Sequence, residues 1–185
     1  MNNLKTIRLD GETYLRQVQA SDASEIYRAI DSGRDHLDPW LPFVALTLAE
    51  SDSEEFVNSV INAPESSKEF VFIINSREQF SGLIGFRQTD RANRKTEIGY
   101  WLTHSATGRG IATESVRALL RFAFGSLGMN RVQIKCATGN ERSKNIPKRL
   151  GFVYEGIERD GELLSDGKFT DIEVYSMMKR EFVEK

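Results

Sequence analysis

The stretch that decides the fold of this chain is Glu97-Ile-Gly-Tyr-Trp-Leu-Thr-His-Ser-Ala-Thr-Gly-Arg-Gly-Ile-Ala-Thr-Glu114. Its pattern predicts a strand, a glycine-containing turn and the start of a helix. Gly108 and Gly110 let the backbone turn tightly, and an apolar stripe at helical spacing follows from Ile111 to Leu127. The first N–H groups of a helix have no partner inside it, and the helix dipole favours an anion there. We therefore expect the segment from Gly108 to Thr113, here called the cradle, to bind a pyrophosphate.

Alternating and helical patterns on either side of this stretch predict the remaining elements. Strands are expected within Thr6 to Val18, around an Asp10-Gly11 turn, and at Phe70–Ile74, Gly82–Phe86, Arg131–Ala137, Phe152–Ile157 and Thr170–Met177. Further helices are expected at Ala23–Ile30, Ser51–Ile61 and Ser143–Leu150. The expected class is α/β (α+β), with a single mixed, largely antiparallel, twisted sheet of about seven strands covered by about four helices. Ligands of such sheets enter where neighbouring strands part, here at the Leu102 end of the strand before the cradle.

Composition bounds the class of protein. The 185 residues suit one domain spanning 1–185, and 25 basic against 27 acidic residues leave a net charge of -2, too small to drive binding to nucleic acid or anionic membranes. The single cysteine, Cys136, lies in an alternating apolar run, which rules out an internal disulfide and predicts a small buried side chain. The first six residues lack the apolar core of a signal peptide, and no run approaches the roughly 20 apolar residues of a membrane span. We expect a cytoplasmic protein.

Spacing excludes several other uses of the cradle. A dinucleotide fingerprint would need a third glycine where Thr113 stands, and no Gly-Lys-Ser/Thr of a P-loop is present. His36 and His104 are isolated from other ligand residues, so we expect no metal site. Neither Ser105 nor Ser115 has the flanking glycines of a hydrolase nucleophile elbow.

A second motif narrows the choice of ligand for the cradle. Thr107-Gly-Arg-Gly-Ile-Ala112 is followed, about thirty residues later, by Asn140-Glu-Arg-Ser-Lys-Asn-Ile-Pro-Lys-Arg-Leu-Gly-Phe152. The first resembles the acetyl-CoA pyrophosphate loop of the GNAT acetyltransferase superfamily, Gln/Arg-x-x-Gly-x-Gly/Ala, although Thr107 departs from its first fixed position. The second is similar to the superfamily's Asn-x-x-Ser/Ala motif with its short helix and Leu-Gly-Phe. The strand Glu97–Leu102 and Glu155-Gly156 further resemble the branch that acetylates N-terminal amines of ribosomal proteins.

The resemblance implies a GNAT-like fold, acetyl-CoA as cosubstrate and a set of site residues. Ser143 would donate its proton to the leaving thiolate, and Glu162 would be the general base, with Glu97 as the rival base. Each has a structural alternative: a helix N-cap for Ser143, and a solvated or salt-bridged charge for each glutamate. Pro147 cannot bond back to the carbonyl of Ser143, so we expect that helix to begin close to Ser143. The implied cofactor contacts are Trp101, Leu102, Thr103, Gly108, Arg109, Gly110, Ile111, Ala112, Thr113 and Asn140.

The resemblance implies the N-terminal amine of a protein, such as a ribosomal protein, as the first hypothesis for the acceptor. An α-amine with a pKa near 8 is roughly a tenth neutral at pH 7, whereas a lysine with a pKa near 10.4 is neutral in only about one molecule in 2,500. Such an N-terminal acceptor would need only modest help from a base. Alternatives are a polyamine or antibiotic as acceptor, or a non-catalytic acyl-CoA-binding module. The loop from His36 to Phe43, with two prolines and two aromatics, either covers the core or walls a pocket, and it offers a surface for a homodimer.

Overall fold

A computed structural model describes residues 5–183. Residues 1–4, on which part of the signal-peptide expectation falls, and residues 184–185 lie outside this description. The strands are β1 (Thr6–Arg8), β2 (Thr13–Gln17), β3 (Val71–Ser76), β4 (Gln79–Asp90), β5 (Lys95–Leu102), β6 (Arg131–Ala137), β7 (Val153–Leu163) and β8 (Phe169–Met178). The helices are α1 (Ala23–Ser32), α2 (Arg34–Leu37), α3 (Phe43–Leu46), α4 (Glu50–Ile61), α5 (Ile111–Arg121) and α6 (Glu141–Leu150).

The eight strands form one sheet in the order β1-β2-β3-β4-β5-β6-β8-β7. Neighbours are antiparallel except β5 and β6, which are parallel because α5 carries the chain back across the sheet between them. The expected class, a single mixed and largely antiparallel sheet, is confirmed, with eight strands in place of about seven and six helices in place of about four.

Helices cover both faces of this sheet. Successive side chains of β3 point to opposite faces, so Phe72 and Ile74 join the core under α5, while Ile73 joins the core under α1 and α4. The stripe on α5 that contains Leu119 and Leu120 is completely buried in the first core, as its helical spacing predicts. The two cores fix the sheet as the middle layer of the molecule.

The centre of the sheet opens where β5 and β6 part. Their pairing contains only Lys95–Arg131, Thr96–Val132 and Glu97–Gln133, although both strands continue beyond it. On its other edge β5 stays paired with β4 as far as Leu102. Gly82 of β4 permits a very close approach there, because a Cβ at this position would lie 2.1 Å from the carbonyl oxygen of Trp101. The expected parting at the Leu102 end of β5 is therefore present.

Three elements differ from expectation. The predicted loop from His36 to Phe43 overlaps two short helices, α2 and α3, and the helix after the cradle closes with a π-helical turn at Phe122–Ser126 before Gly128. Strand β7 was expected to end at Ile157 but continues to Leu163 through an irregular stretch. Within residues 5–183, no helix is both long enough and apolar enough to cross a lipid bilayer.

Candidate active site

A cavity of about 1420 Å³ lies where β5 and β6 part. Residues of the end of β5, the first turn of α5, the start of α6, β7 and the segment from α1 to α4 line it. Of the thirteen predicted site residues, eleven line this cavity: Glu97, Trp101, Leu102, Gly108, Gly110, Ile111, Ala112, Thr113, Asn140, Ser143 and Glu162.

The cradle is built from backbone in left-handed conformations. Gly108 has φ +75° and Gly110 has φ +78°, values that side chains with a Cβ rarely adopt, and space around both Cβ positions is empty. Gly110 is the N-cap of α5, and the amide of Glu114 makes the first helical bond to its carbonyl at 3.1 Å. The amides of the first turn therefore carry no helical bond. Arg149 of α6 approaches the same turn, with Nη1 3.3 Å from Thr113 Oγ1.

Two predicted cofactor residues lie outside the cavity lining. The guanidinium of Arg109 donates to Ser76 Oγ at 3.2 Å, so its charge is directed towards the end of β3. The amide of Thr103 donates to the carbonyl of Ser81 at 2.9 Å and is thus already used. Arg149 of the second motif lines the cavity and approaches the cradle at Thr113.

Asn140 and Ser143 begin α6 together, but not as expected. The helix starts at Glu141, two residues earlier than predicted, and Asn140 is its N-cap, because its Oδ1 accepts the amide of Ser143 at 3.1 Å. The N-cap alternative for Ser143 is therefore wrong. Its hydroxyl is free of any capping bond and lies 3.4 Å from Cys136 Sγ and 3.2 Å from the phenol oxygen of Tyr100.

Cys136 is buried, as its alternating run predicts. Burial raises the pKa of its thiol to about 11, the hydrogen bond from Ser143 opposing this only in part. Cys136 therefore stays a neutral thiol at physiological pH. Since only the thiolate is a strong nucleophile, this cysteine is not set up for nucleophilic catalysis.

The carboxylate of Glu97 is held by an ion pair and a hydrogen bond to neighbouring strands. Its side chain is almost completely buried, with one oxygen 2.8 Å from Arg87 Nε and the other accepting from Gln133 Nε2 at 3.2 Å. A buried carboxylate needs such partners. These two contacts of Glu97 link β4, β5 and β6 at Glu97–Gln133, the last residue pair that joins β5 to β6.

Glu162 differs from the other carboxylates of the cavity. Glu158 pairs with Lys135, Glu141 with Lys144, and Asp52 accepts the amides of Leu48 and Ala49. Glu162 has no ion pair or side-chain hydrogen bond within the described part of the chain.

An irregularity in β7 sets the direction of Glu162. Between the pairs Glu158–Ile172 and Glu162–Thr170, three residues of β7 face a single residue of β8. Asp160 adopts φ +50°, and Gly161 lies so near Ile172 that a Cβ would stand 2.8 Å from its Cγ1. Such bulges redirect the side chains that follow them. The Asp160-Gly161 dipeptide is the sequence signal that sequence reasoning missed.

Part of the cavity wall consists of apolar side chains from the α2 to α4 segment. Trp40 and Phe43 are each 37% exposed, Phe56 is 42% exposed, and all three line the cavity. Trp40 contacts Gly139, next to Asn140: its ring would lie 3.4 Å from a Cβ there. Ser165, in the turn after β7, donates to Asp38 Oδ2 at 2.9 Å. The segment thus contacts the residue before Asn140 and the turn after β7, which favours the pocket-wall interpretation of the loop.

The histidines stand together at the edge of the cavity. The rings of His36 and His104 pack edge to face with centroids 5.3 Å apart, and burial, with some repulsion from His104, lowers the pKa of His36. Among the described residues, no three His, Cys, Asp or Glu side chains are grouped closely enough to hold a metal ion.

The chain belongs to the GNAT acetyltransferase family, whose acetyltransferase domain it matches over residues 12–153. It is 33% identical over 184 residues to YdaF of Bacillus subtilis (strain 168), provisionally named a ribosomal N-acetyltransferase, covering 96% of this chain and 97% of that one. It is 27% identical over 172 residues to the ribosomal-protein-serine acetyltransferase of Escherichia coli (strain K12), covering 93% and 96%. The protein is therefore an N-acetyltransferase.

Solved structures agree with this fold. The microcin C7 self-immunity acetyltransferase MccE, solved with acetyl-CoA and AMP, superimposes with a TM-score of 0.86 at 28% identity, covering 93% of this chain and 95% of that one. The ribosomal L7/L12 α-N-protein acetyltransferase RimL, solved with coenzyme A, superimposes with a TM-score of 0.89 at 22% identity, covering 94% and 98%. At that identity RimL supports the fold alone.

Proposed function

We propose that this enzyme transfers an acetyl group from acetyl-CoA to the N-terminal α-amine of a protein, with a ribosomal protein as the first candidate. One observation carries the proposal: Glu162, a carboxylate without a partner in the described chain, shares a cavity with Ser143 and with an open backbone cradle. The three features supply a base, a proton donor and an anion site, which are the groups that acyl transfer to an amine requires.

The residues present fit acetyl-CoA. The empty space at Gly108 and Gly110, with the first-turn amides of α5, suits a pyrophosphate, and Arg149 adds charge beside it. Beyond Glu97, the edge of β5 that faces β6 is free of strand pairing as far as Leu102, so its backbone can bind an extended arm and a thioester oxygen. Asn140, Ile111, Ala112 and Thr113 complete this set. When bound, acetyl-CoA supplies an activated acetyl group and a thiolate leaving group.

The protein's groups then move two protons. Glu162 takes a proton from the incoming ammonium, directly or through one water, and the neutral nitrogen forms its bond to the acetyl carbon. The unpaired backbone edge at the Leu102 end of β5 stabilises the negative charge on the oxygen. As the carbon–sulfur bond breaks, Ser143 Oγ gives its proton to the departing sulfur, and the nitrogen loses its second proton to solvent. Ser143 then recovers a proton from solvent, and Glu162 releases its own there.

The charges of the cavity support a peptide over a polycation. Of its five carboxylates, four are already engaged: Glu97 with Arg87, Glu158 with Lys135, Glu141 with Lys144, and Asp52 in capping α4. A polyamine would need several carboxylates without partners. One such carboxylate beside an apolar wall suits a single ammonium followed by a peptide chain, and two of the relatives carry ribosomal acetylation in their names.

A thiol-release assay with N-terminal peptides, polyamines and aminoglycosides tests the proposal. We expect peptides to release coenzyme A, and Ser143→Ala to lower turnover while acetyl-CoA binding is kept. Release with polyamines or aminoglycosides alone would overturn the acceptor and favour the small-molecule alternative. No release with any amine would favour a non-catalytic binding module, and full turnover of Ser143→Ala would remove its role as proton donor.

We further propose that residues 1–185 form a single acetyltransferase domain and that two copies associate as a homodimer. The edge strand β7 exposes about half of each of Val153, Tyr154 and Ile157, an apolar surface that a second copy would bury. Sedimentation at micromolar concentration tests this association, and a monomer throughout would contradict it.

A further inference from the structure

The proline inside α6 leaves one backbone group without its helical partner. Pro147 stands four residues after Ser143 and has no N–H, so the carbonyl of Ser143 cannot accept the usual helical bond. The same ring also crowds that carbonyl. Because α6 begins at Glu141, Ser143 lies inside the helix, and its carbonyl needs a donor from elsewhere.

Tyr100 supplies that donor. Its hydroxyl lies 3.2 Å from the carbonyl oxygen of Ser143 and also 3.2 Å from Ser143 Oγ. It projects from the part of β5 that has left β6, so the phenol reaches across the opening to α6. Tyr100, Ser143 and Cys136, which belong to β5, α6 and β6, therefore join the three elements around the opening.

The direction of the protons follows from the groups present. A carbonyl can only accept, so the single phenol proton is directed to the carbonyl of Ser143. The phenol oxygen is then an acceptor for the Ser143 hydroxyl, whose other neighbour, the sulfur of Cys136, is a weak acceptor. Burial raises the pKa of Tyr100, so the phenol keeps its proton and remains a donor at physiological pH.

We propose that Tyr100 is a positioning residue for Ser143, holding its main chain and its hydroxyl together so that the hydroxyl stays beside the cavity and can turn its proton from the phenol oxygen to the departing sulfur, and that Pro147 is what makes this contact available. The inference rests on the proposed function, in which Ser143 donates to the leaving thiolate. A serine whose carbonyl accepts from a phenol, and whose hydroxyl donates to the same phenol, loses little freedom when the thiolate forms.

A double-mutant cycle tests the inference. We expect Tyr100→Phe to lower kcat about 10-fold, with the KM for acetyl-CoA changed by less than about 2-fold, because placement and not binding is lost. In a Ser143→Ala background, the same change should cost less than about 2-fold, since no hydroxyl remains to be positioned. Tyr14→Phe is the matched control, because its phenol bonds Glu78 outside the cavity, and it should leave kcat unchanged.

Pro147→Ala provides a rescue. An alanine restores the N–H that can bond to the carbonyl of Ser143, so Tyr100→Phe should cost less in that background than in the native chain. Equal losses from Tyr100→Phe with and without the Ser143 hydroxyl would overturn the inference, as would an unchanged kcat or the absence of rescue. Full turnover of Ser143→Ala would instead show that the proposed role of Ser143 fails, and the inference with it. Thermal unfolding of each variant separates loss of fold from loss of placement.

Discussion

The two ends of the cavity are built in different ways. The end proposed to hold the cofactor comes from one continuous stretch, the end of β5 and the first turn of α5, where glycines leave the main chain open. The end proposed to hold the acceptor comes from side chains, such as Trp40, Phe56 and Glu162, that are up to 122 residues apart in the sequence. The first depends on where glycines allow the backbone to go, and the second on which side chains the fold brings together.

This difference determines what each end tolerates. A backbone amide presents the same donor whatever its side chain, so the cofactor end fails only when a Cβ blocks it or its conformation becomes strained. The acceptor end changes with every side chain that faces it. We therefore expect substitutions at the glycines of the cofactor end to affect folding or acetyl-CoA binding, and truncations at the acceptor end to affect the amine alone.

The strongest effect is expected at Gly82, which supports the cofactor end from β4. Its φ of +147° disfavours any side chain, and a Cβ would overlap the Trp101 carbonyl. Gly82→Ala should lower the free energy of unfolding by roughly 3 kcal/mol. Gly11→Ala, with nothing within 4 Å of its Cβ and no unusual φ, is the control and should change it by less than about 0.5 kcal/mol. Denaturant unfolding measures both, and equal midpoints would contradict the close approach.

The next effect concerns the cradle itself. Gly110→Val should weaken acetyl-CoA binding about 100-fold, because a branched side chain is strained at φ +78° and fills the space an anion would need. Gly125→Val is the matched control, since Gly125 is exposed with nothing near its Cβ. Calorimetry with acetyl-CoA gives both affinities. An affinity of Gly110→Val within about 3-fold of the native value would show that the cradle does not hold the cofactor.

At the acceptor end, Glu162→Gln removes the proposed base. We expect roughly a 10-fold loss in kcat/KM near neutral pH, growing towards lower pH, because without a base only the amine fraction already neutral can react. Above the amine pKa of about 8 the loss should shrink. A pH–rate series with one peptide measures this.

Two carboxylates serve as controls for Glu162. Glu158→Gln, on the same strand but paired with Lys135, should keep the native pH profile. Glu97→Gln disturbs a buried pair with Arg87 and should chiefly lower stability. If Glu162→Gln has the native profile and Glu97→Gln does not, Glu97 is the base.

How much of this could be predicted from the sequence follows the same division. The cradle, its strand and α5 are continuous in sequence and depend on local glycine conformation, so the local sequence pattern was sufficient to predict their structure. The contact of Tyr100 with Ser143 and the approach of Trp40 to Gly139 join residues remote in sequence, and no local pattern records them. The bulge at Asp160 lies between these cases: its Asp-Gly pair is visible, but its effect on Glu162 depends on the register with β8.

The smallest predicted effect separates the two ends most directly. Trp40 lines the cavity at 37% exposure, and the edge of its indole lies beside Gly139. Trp40→Ala should raise the KM for an N-terminal peptide about 5-fold, the size expected when one half-exposed aromatic contact is lost, with acetyl-CoA affinity within about 2-fold of native. Leu48→Ala, in the same segment, 71% exposed and outside the cavity lining, should change neither. If Trp40→Ala weakened acetyl-CoA as strongly as the peptide, the wall would belong to both ligands, and the division between a main-chain cofactor end and a side-chain acceptor end would not hold.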